Sequence, residues 1–212
     1  MERGTSYQVI SYGVACLSLP GQAESGDSYL VKEHDRGVLI AVVDGLGHGQ
    51  EAAYTAEMAK SALEEHSSTN PLSLLLYCHE KLRRTRGAAI TVVSLDKVAG
   101  TLTWTGVGNV ECVLLRSRPA EDAPKREYII LRGGVIGYHL PSIYPTVTTI
   151  HPGDIIIFCT DGVSREFLES ASLGMEPQEL ADVILRRYSL KTDDALVLVA
   201  RYNGGPHGPS ST

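Results

Sequence analysis

The sequence predicts an α+β fold in which antiparallel sheets are covered by helices. Two observations carry this. Ten short runs rich in Val, Ile, Thr and Tyr are punctuated by Gly, Pro and Asp, and the helical patterns fall in adjacent pairs between groups of strands. Strands alternating one by one with helices would have called for a parallel sheet instead. With 212 residues, 43% of them hydrophobic, the chain has the size and apolar content of one globular domain. That domain is expected over residues 1–202.

The elements follow in order. Val9 to Leu19 is apolar enough to pass for a secretory leader, but no net positive segment precedes it and Ser11, Tyr12 and Ser18 interrupt it, so Tyr7–Ser18 reads as a first strand. Ser28–Glu33 and Val38–Val43 flank an Asp35-Arg36 turn and read as a hairpin. From Glu51 to Glu65 the residues Ala52, Ala56, Ala59 and Leu63 recur at helical spacing. Pro71–Arg84 is a second helix, with Asn70 as N-cap and Pro71 at the first helical position. Strand composition returns at Ala88–Leu95, Thr101–Thr105, Val110–Arg116, Tyr128–Leu131, Thr146–Ile150 and Asp154–Thr160. A short helix is expected after Ser164, a third long one over Pro177–Tyr188, and a last strand over Ala195–Tyr202. Residues 203–212, Gly-, Pro- and Ser-rich, have almost nothing to bury and are expected to form a disordered tail.

Charge and cysteine usage exclude several classes. The 19 Lys and Arg against 25 Asp and Glu leave a net charge of −6, which disfavours nucleic acid as a partner, because phosphate-backbone affinity comes from clustered basic residues. The one dense basic stretch, Lys81 to Arg86, closes a helix and complements its dipole. No apolar run approaches the ~18 residues that span a bilayer, so no membrane partner is expected. Cys16, Cys78, Cys112 and Cys159 are scattered among apolar neighbours and read as reduced core residues of a cytoplasmic protein.

The chemistry concentrates at strand ends. Gly37 to Val43 runs into Asp44-Gly45-Leu46-Gly47-His48-Gly49 and then a helix, so a glycine-rich turn aims Asp44 outward. If the preceding hairpin turns at Asp35-Arg36, opposed residues have numbers summing to 71 and Asp27 faces Asp44. In the second half, Asp154 to Thr160 ends in Asp161-Gly162, and Asp193-Asp194 precedes Ala195 to Ala200. Antiparallel pairing of those two strands would bring Asp161 and Asp193 to one sheet edge. Each aspartate alone is an ordinary turn residue. Together they would repel by about 4 kcal/mol per pair at ~4 Å and an effective dielectric of 20, which makes a bound cation the economical explanation. Oxygen ligands without matching His or Cys suit Mg²⁺ or Mn²⁺ better than zinc. Dinucleotide and P-loop motifs are absent: Gln50 and Glu111 stand where G-x-G-x-x-G needs its third glycine, and there is no G-x-x-x-x-G-K-[ST]. A haloacid-type phosphatase would need an aspartate where Val163 stands.

The strand-D-G-L-G-H-G-helix block, the later strand-T-D-G-V and the terminal D-D-A-L-V-L-V resemble the type 2C, PPM-class metal-dependent Ser/Thr protein phosphatases. Gly106-Val-Gly-Asn109-Val-Glu and Gly133 to Gly137 are similar to that family's mid-domain turn and glycine-rich segment, so the likeness runs from about Tyr7 to Arg201. The DGLGHG spelling and short length look like its compact bacterial regulatory branch, which acts on serine and threonine of STAS-domain stressosome proteins. The resemblance implies an α-β-β-α sandwich, two central antiparallel sheets flanked by helix pairs. It also implies two Mn²⁺ or Mg²⁺ ions per chain, with Asp44 bridging them, the Gly45 carbonyl as a further ligand, and Asp27, Asp161 and Asp193 completing the set. Two departures stand out: Gly26 replaces the acid that often precedes the early aspartate, and the phosphate-gripping arginine has no clear counterpart, Arg3 being poorly placed.

The implied reaction is direct hydrolysis of phosphoserine or phosphothreonine, with His48 as the group that protonates the departing serine oxygen. The other histidines form no ligand spacing. The expected partners are phosphorylated STAS-domain proteins of a stressosome, met by a monomer. Two other readings stay open: a phosphatase of an anti-sigma-factor antagonist outside a stressosome, and a metal-poor pseudophosphatase that binds phosphoproteins.

Overall fold

The computed structural model describes residues 8–67, 70–119, 121, 123–169 and 171–205. Ten strands form two five-stranded sheets. In the first the order is β1 (Ile10–Leu17), β10 (Ala195–Tyr202), β9 (Ile155–Cys159), β6 (Glu111–Leu115), β7 (Arg126–Tyr128). In the second it is β2 (Asp27–His34), β3 (Gly37–Gly45), β4 (Ala88–Asp96), β5 (Thr101–Val107), β8 (Thr146–Thr149). Neighbouring strands in both are antiparallel. Helices α1 (Gln50–Glu65) and α2 (Pro71–Leu82) cover the second sheet, while α3 (Pro177–Tyr188) and a 3-10 turn over Arg165–Glu169 cover the first. The expected α-β-β-α sandwich is the fold observed.

Side-chain alternation explains why β3 is an unbroken apolar run. Val38, Ile40 and Val42 enter the core between the sheets with Trp104, Leu114 and Phe158, whereas Leu39, Ala41 and Val43 meet Ala59, Leu63 and Leu75 of the helices. A strand buried on both faces has no polar side to show. A third core, with Ile157, Val197, Phe167 and Ile184, lies under α3. Asn70 caps α2 as expected, its side chain accepting from the Ser73 N–H at 3.0 Å.

The clearest departure from the expected elements lies at Tyr128–Leu131, where the strand ends at Tyr128 instead of starting there. Ile129 and Leu131 are apolar because they plug the core between the sheets. The chain then crosses to the other sheet, with the Arg132 N–H donating to Gly106 O and the Gly108 N–H to Arg132 O. Of residues 203–212, Asn203 lies beside the start of the chain and its N–H donates to Val9 O at 2.9 Å, while 206–212 fall outside the described residues. Among the described residues no helix is long and apolar enough to cross a membrane.

At the end remote from Asp27 and Asp44, Arg116 ties the two sheets together. It donates to Glu127 at 2.6 Å, to Thr149 O at 2.6 Å, to Thr148 Oγ1 at 2.7 Å and to the fully buried Asp154 at 3.0 Å. Removing one partner of a buried ion pair strands the other. Arg116→Met is therefore expected to lower the unfolding free energy in urea by about 3 kcal/mol. Arg36→Ala, which breaks an ion pair whose arginine side chain is 71% exposed, should leave it nearly unchanged.

Candidate active site

The β2–β3 hairpin adopts the predicted register, and Asp27 faces Asp44 across it. On the other sheet Cys159 of β9 pairs with Val197 of β10, so Asp161 follows the end of one strand and Asp193 precedes the start of its neighbour. Thr160 joins the two sheets at this edge. Its Oγ1 donates to Asp27 Oδ2 at 2.7 Å and accepts from the Leu196 N–H at 2.8 Å.

The two adjacent aspartates differ in burial and hydrogen bonding. Asp194 is 3% exposed and accepts the Leu19 N–H on Oδ1 and the Gly26 N–H on Oδ2, each at 2.7 Å, so it fastens the loop between β1 and β2 to the head of β10. Asp193 stays half-buried, with Oδ1 accepting the Asp194 N–H, and acts electrostatically on Asp44 and Asp161.

Glycines allow this crowding. The Gly45 N–H donates to Gly26 O at 2.9 Å, and a Cβ on Gly45 would collide with the Ala52 carbonyl in the first turn of α1. At Gly26 a Cβ would lie 2.9 Å from Ala52 Cβ and 3.3 Å from Asp194 Oδ2. An acid at position 26 thus has no room, which accounts for the departure noted in the sequence.

The electrostatics are those of like charges gathered without a counter-ion. Burial, then Asp161 and Asp193, push the Asp44 carboxyl up to about 7. Burial and then Asp44 raise Asp27 well above the usual carboxylate range, against the opposing pull of the Thr160 hydroxyl. Asp161 is raised by burial and Asp193, while Asn109, whose amide donates to Asp161 Oδ2 at 2.6 Å, draws it down. The same amide lowers Asp44, so Asn109 stands between the two carboxylates.

The structure therefore brings Asp27, Asp44, Asp161 and Asp193 into one field, with the Gly45 backbone among them. Among the described residues, no three His, Cys, Asp or Glu side chains are already closed around a single point as a ready chelate. His48 is exposed on the Gly47–Gly49 turn. Arg3 lies outside the described residues. From the sequence, Asp194 is named only as the neighbour of Asp193, and Asn109 and Thr160 have no place among the expected site residues. Their signals were the G-V-G-N turn, with Gly108 at φ +101°, and hydrogen-bonding residues directly beside the motif aspartates.

A family model described as Stage II sporulation protein E (SpoIIE) matches residues 34–203. The chain belongs to the SpoIIE family. The type 2C, PPM-class relationship expected from the motifs is thereby shown, and with it the class of enzyme, a protein-serine/threonine phosphatase. Phosphoserine phosphatase RsbX of Bacillus subtilis (strain 168) is 26% identical over 185 residues, covering 86% of this chain and 89% of that protein. A chain from a structure described as the bacterial stressosome, a modular system adapted to control secondary messenger signaling, aligns with TM-score 0.82 and 28% identity over 92% of this chain and 100% of its own. RsbX in complex with magnesium gives TM-score 0.80 and 23% identity over 92% of this chain and 96% of its own.

The raised carboxyls carry a pH signature. A group whose folded-state pKa lies above its unfolded value favours folding while protonated, and that advantage disappears as pH rises from the ordinary carboxylate value through the folded one. In chelator-treated protein the melting temperature is expected to fall between about pH 4 and pH 7. Asp44→Asn should flatten this fall, as read by thermal denaturation across the range.

Proposed function

We propose that this chain is a divalent-metal-dependent phosphatase that removes phosphate from serine or threonine of STAS-domain stressosome proteins and so resets a bacterial stress-signalling switch. The observation that carries this reading is the gathering of Asp27, Asp44, Asp161 and Asp193 where the two sheets meet, with the Asp27, Asp44 and Asp161 carboxyls raised by burial and by neighbouring carboxylates. Such a cluster calls for positive charge, and its oxygen donors fit Mg²⁺ or Mn²⁺. In our reading Asp44, the Gly45 carbonyl, Asp161, Asp193 and Asp27 would hold two such ions, with Asp44 as the ligand common to both. Bound ions of this kind supply an activated water and neutralise phosphoryl oxygens.

The chain's own residues do the remaining work. Thr160 fixes the rotamer of Asp27, and Asp194 holds the Gly26 loop so that Asp27 stays opposite Asp44. Asn109 orients Asp161. His48, exposed on the turn beside Asp44, is the group we assign to protonating the leaving serine oxygen. Support for the stressosome comes from the likeness to RsbX and to the stressosome-study chain. The four free cysteines fit a reducing, cytoplasmic setting. One catalytic domain acting as a monomer completes the proposal.

Incubating the protein with phosphorylated STAS-domain proteins, with and without Mn²⁺, tests the reading directly. Excess EDTA should abolish phosphate release and added Mn²⁺ or Mg²⁺ restore it; full activity in EDTA would remove the metal mechanism. Asp44→Asn should lower kcat by more than about a hundredfold, beyond what losing an outer-shell partner does, with an unchanged circular dichroism spectrum. Substrate choice is expected to rest on docking of a folded partner, whose binding energy positions the phosphoryl group. In steady-state assays, kcat/KM for an intact phosphorylated STAS-domain protein should then exceed that for its isolated phosphopeptide by at least about a hundredfold.

A further inference from the structure

On its Asp161 side the site opens into a cavity of about 260 Å³, whose walls include Asn109, Glu111, Thr160, Asp161, Ser164 and Arg165. Among the described residues that line it, Arg165 alone carries positive charge. Its side chain is 80% exposed and is ion-paired through Nη2 with the Glu111 carboxylate, which is 22% exposed. The pair connects the two turns that form this side of the site. Glu111 lies two residues after Asn109, and Arg165 four residues after Asp161, so each turn supplies one residue of the aspartate cluster's surroundings and one half of the pair.

A contact that open contributes little to stability, since exposed ion pairs are worth ~1 kcal/mol or less. It does hold a guanidinium facing the cavity. Arginine has five N–H donors in a rigid fork, so Nη2 bonded to Glu111 leaves others to offer, whereas the Asn109 amide is already shared between Asp161 and Asp44. A guanidinium with donors to spare therefore lines a cavity that shares Asp161 with the carboxylate cluster. An acceptor-only, multiply charged group with tetrahedral oxygens matches it. Arg86, on the Gly47 side, fits less well. Arg86 pairs with Glu51 and leans over Gly47, and its cavity is lined by the start of α1 and the turn after α2, with none of the four aspartates.

We propose that Arg165, steadied by Glu111, grips the phosphoryl oxygens of the substrate at the Asp161 side of the site, the anchoring role for which the sequence offers no early arginine. This rests on the phosphatase reading above and specifies how the phosphoryl group is held. Thr160, Asp161 and Arg165 all line the cavity, so a phosphoryl group there would meet the guanidinium beside the edge of the cluster.

The test uses the full chain loaded with Mn²⁺ and inorganic phosphate as probe, measured both as a competitive inhibitor of aryl-phosphate hydrolysis and by thermal shift. Arg165→Ala should weaken phosphate about tenfold or more, as expected for a lost charge-assisted hydrogen bond, and raise KM alike. Arg165→Lys, which keeps the charge and loses the fork, should fall between Arg165→Ala and the wild type. Arg36→Ala, at the far hairpin, controls for net charge and should match the wild type. Equal phosphate affinity in Arg165→Ala and wild type would overturn the proposal, as would an equal loss in Arg36→Ala. If the wild type hydrolyses no phosphoester, the phosphatase reading fails. The thermal shift still decides Arg165 in that case: a phosphate response lost in Arg165→Ala upholds the anion site, and no response in the wild type overturns it.

Discussion

The working end of this molecule depends on holding several carboxylates closer together than they would remain by themselves. Like charges at ~4 Å repel by about 4 kcal/mol per pair at an effective dielectric of 20, comparable to the whole stabilising effect of a large buried side chain. Only a scaffold that leaves the strand ends no freedom can impose this. Here the constraint is applied from both sheets at once, with Asp27 and Asp44 locked by hairpin register and Asp161 and Asp193 by the β9–β10 pairing. The shared core of Ile40, Val42, Trp104, Phe158 and Leu198 keeps the two sheets from sliding past each other.

The stitches across that edge are polar and few. The Thr160 hydroxyl reaches from one sheet to Asp27 on the other, and Asp194 gathers the amides of Leu19 and Gly26. Each satisfies groups that would be costly to bury unpaired. Each also fixes a neighbour of the cluster, so the same bonds that close the edge set the geometry of the site. The glycines at 26 and 45 are the complement of this: backbone approaches backbone so closely there that a side chain has no space. Strain between acids and crowding of main chain are thus two sides of one compact corner.

Much of this was legible. The two-residue turn at Asp35-Arg36 made the register of the first hairpin a matter of counting, and the glycine-rich turn after β3 marked where the chain leaves the sheet. The stretch after Tyr128 was misread because an apolar residue that plugs a core and one that belongs to a strand have the same composition; Ile129 and Leu131 do the former. Asn109 and Thr160 were overlooked as site residues because the groups they touch lie 52 and 133 residues away along the chain. No local pattern encodes such distances. Arg165 stands four residues past a motif aspartate, but only its pairing with Glu111, 54 residues away, places it at the cavity.

By itself the sequence determined which residues come to strand ends, because hydrophobic runs of fixed period, broken by Asp-Gly, can stop in few places. It also determined the layering, since a run as uniformly apolar as Val38 to Val43 must be covered on both faces. It could not separate Asp193 from Asp194, two identical residues side by side. That difference belongs to the tertiary structure: the Leu19 and Gly26 amides, distant along the chain, come within hydrogen-bonding reach of Asp194. Asp194 turns toward those donors while still acting on Asp27 and Asp44, and Asp193 acts on Asp44 and Asp161.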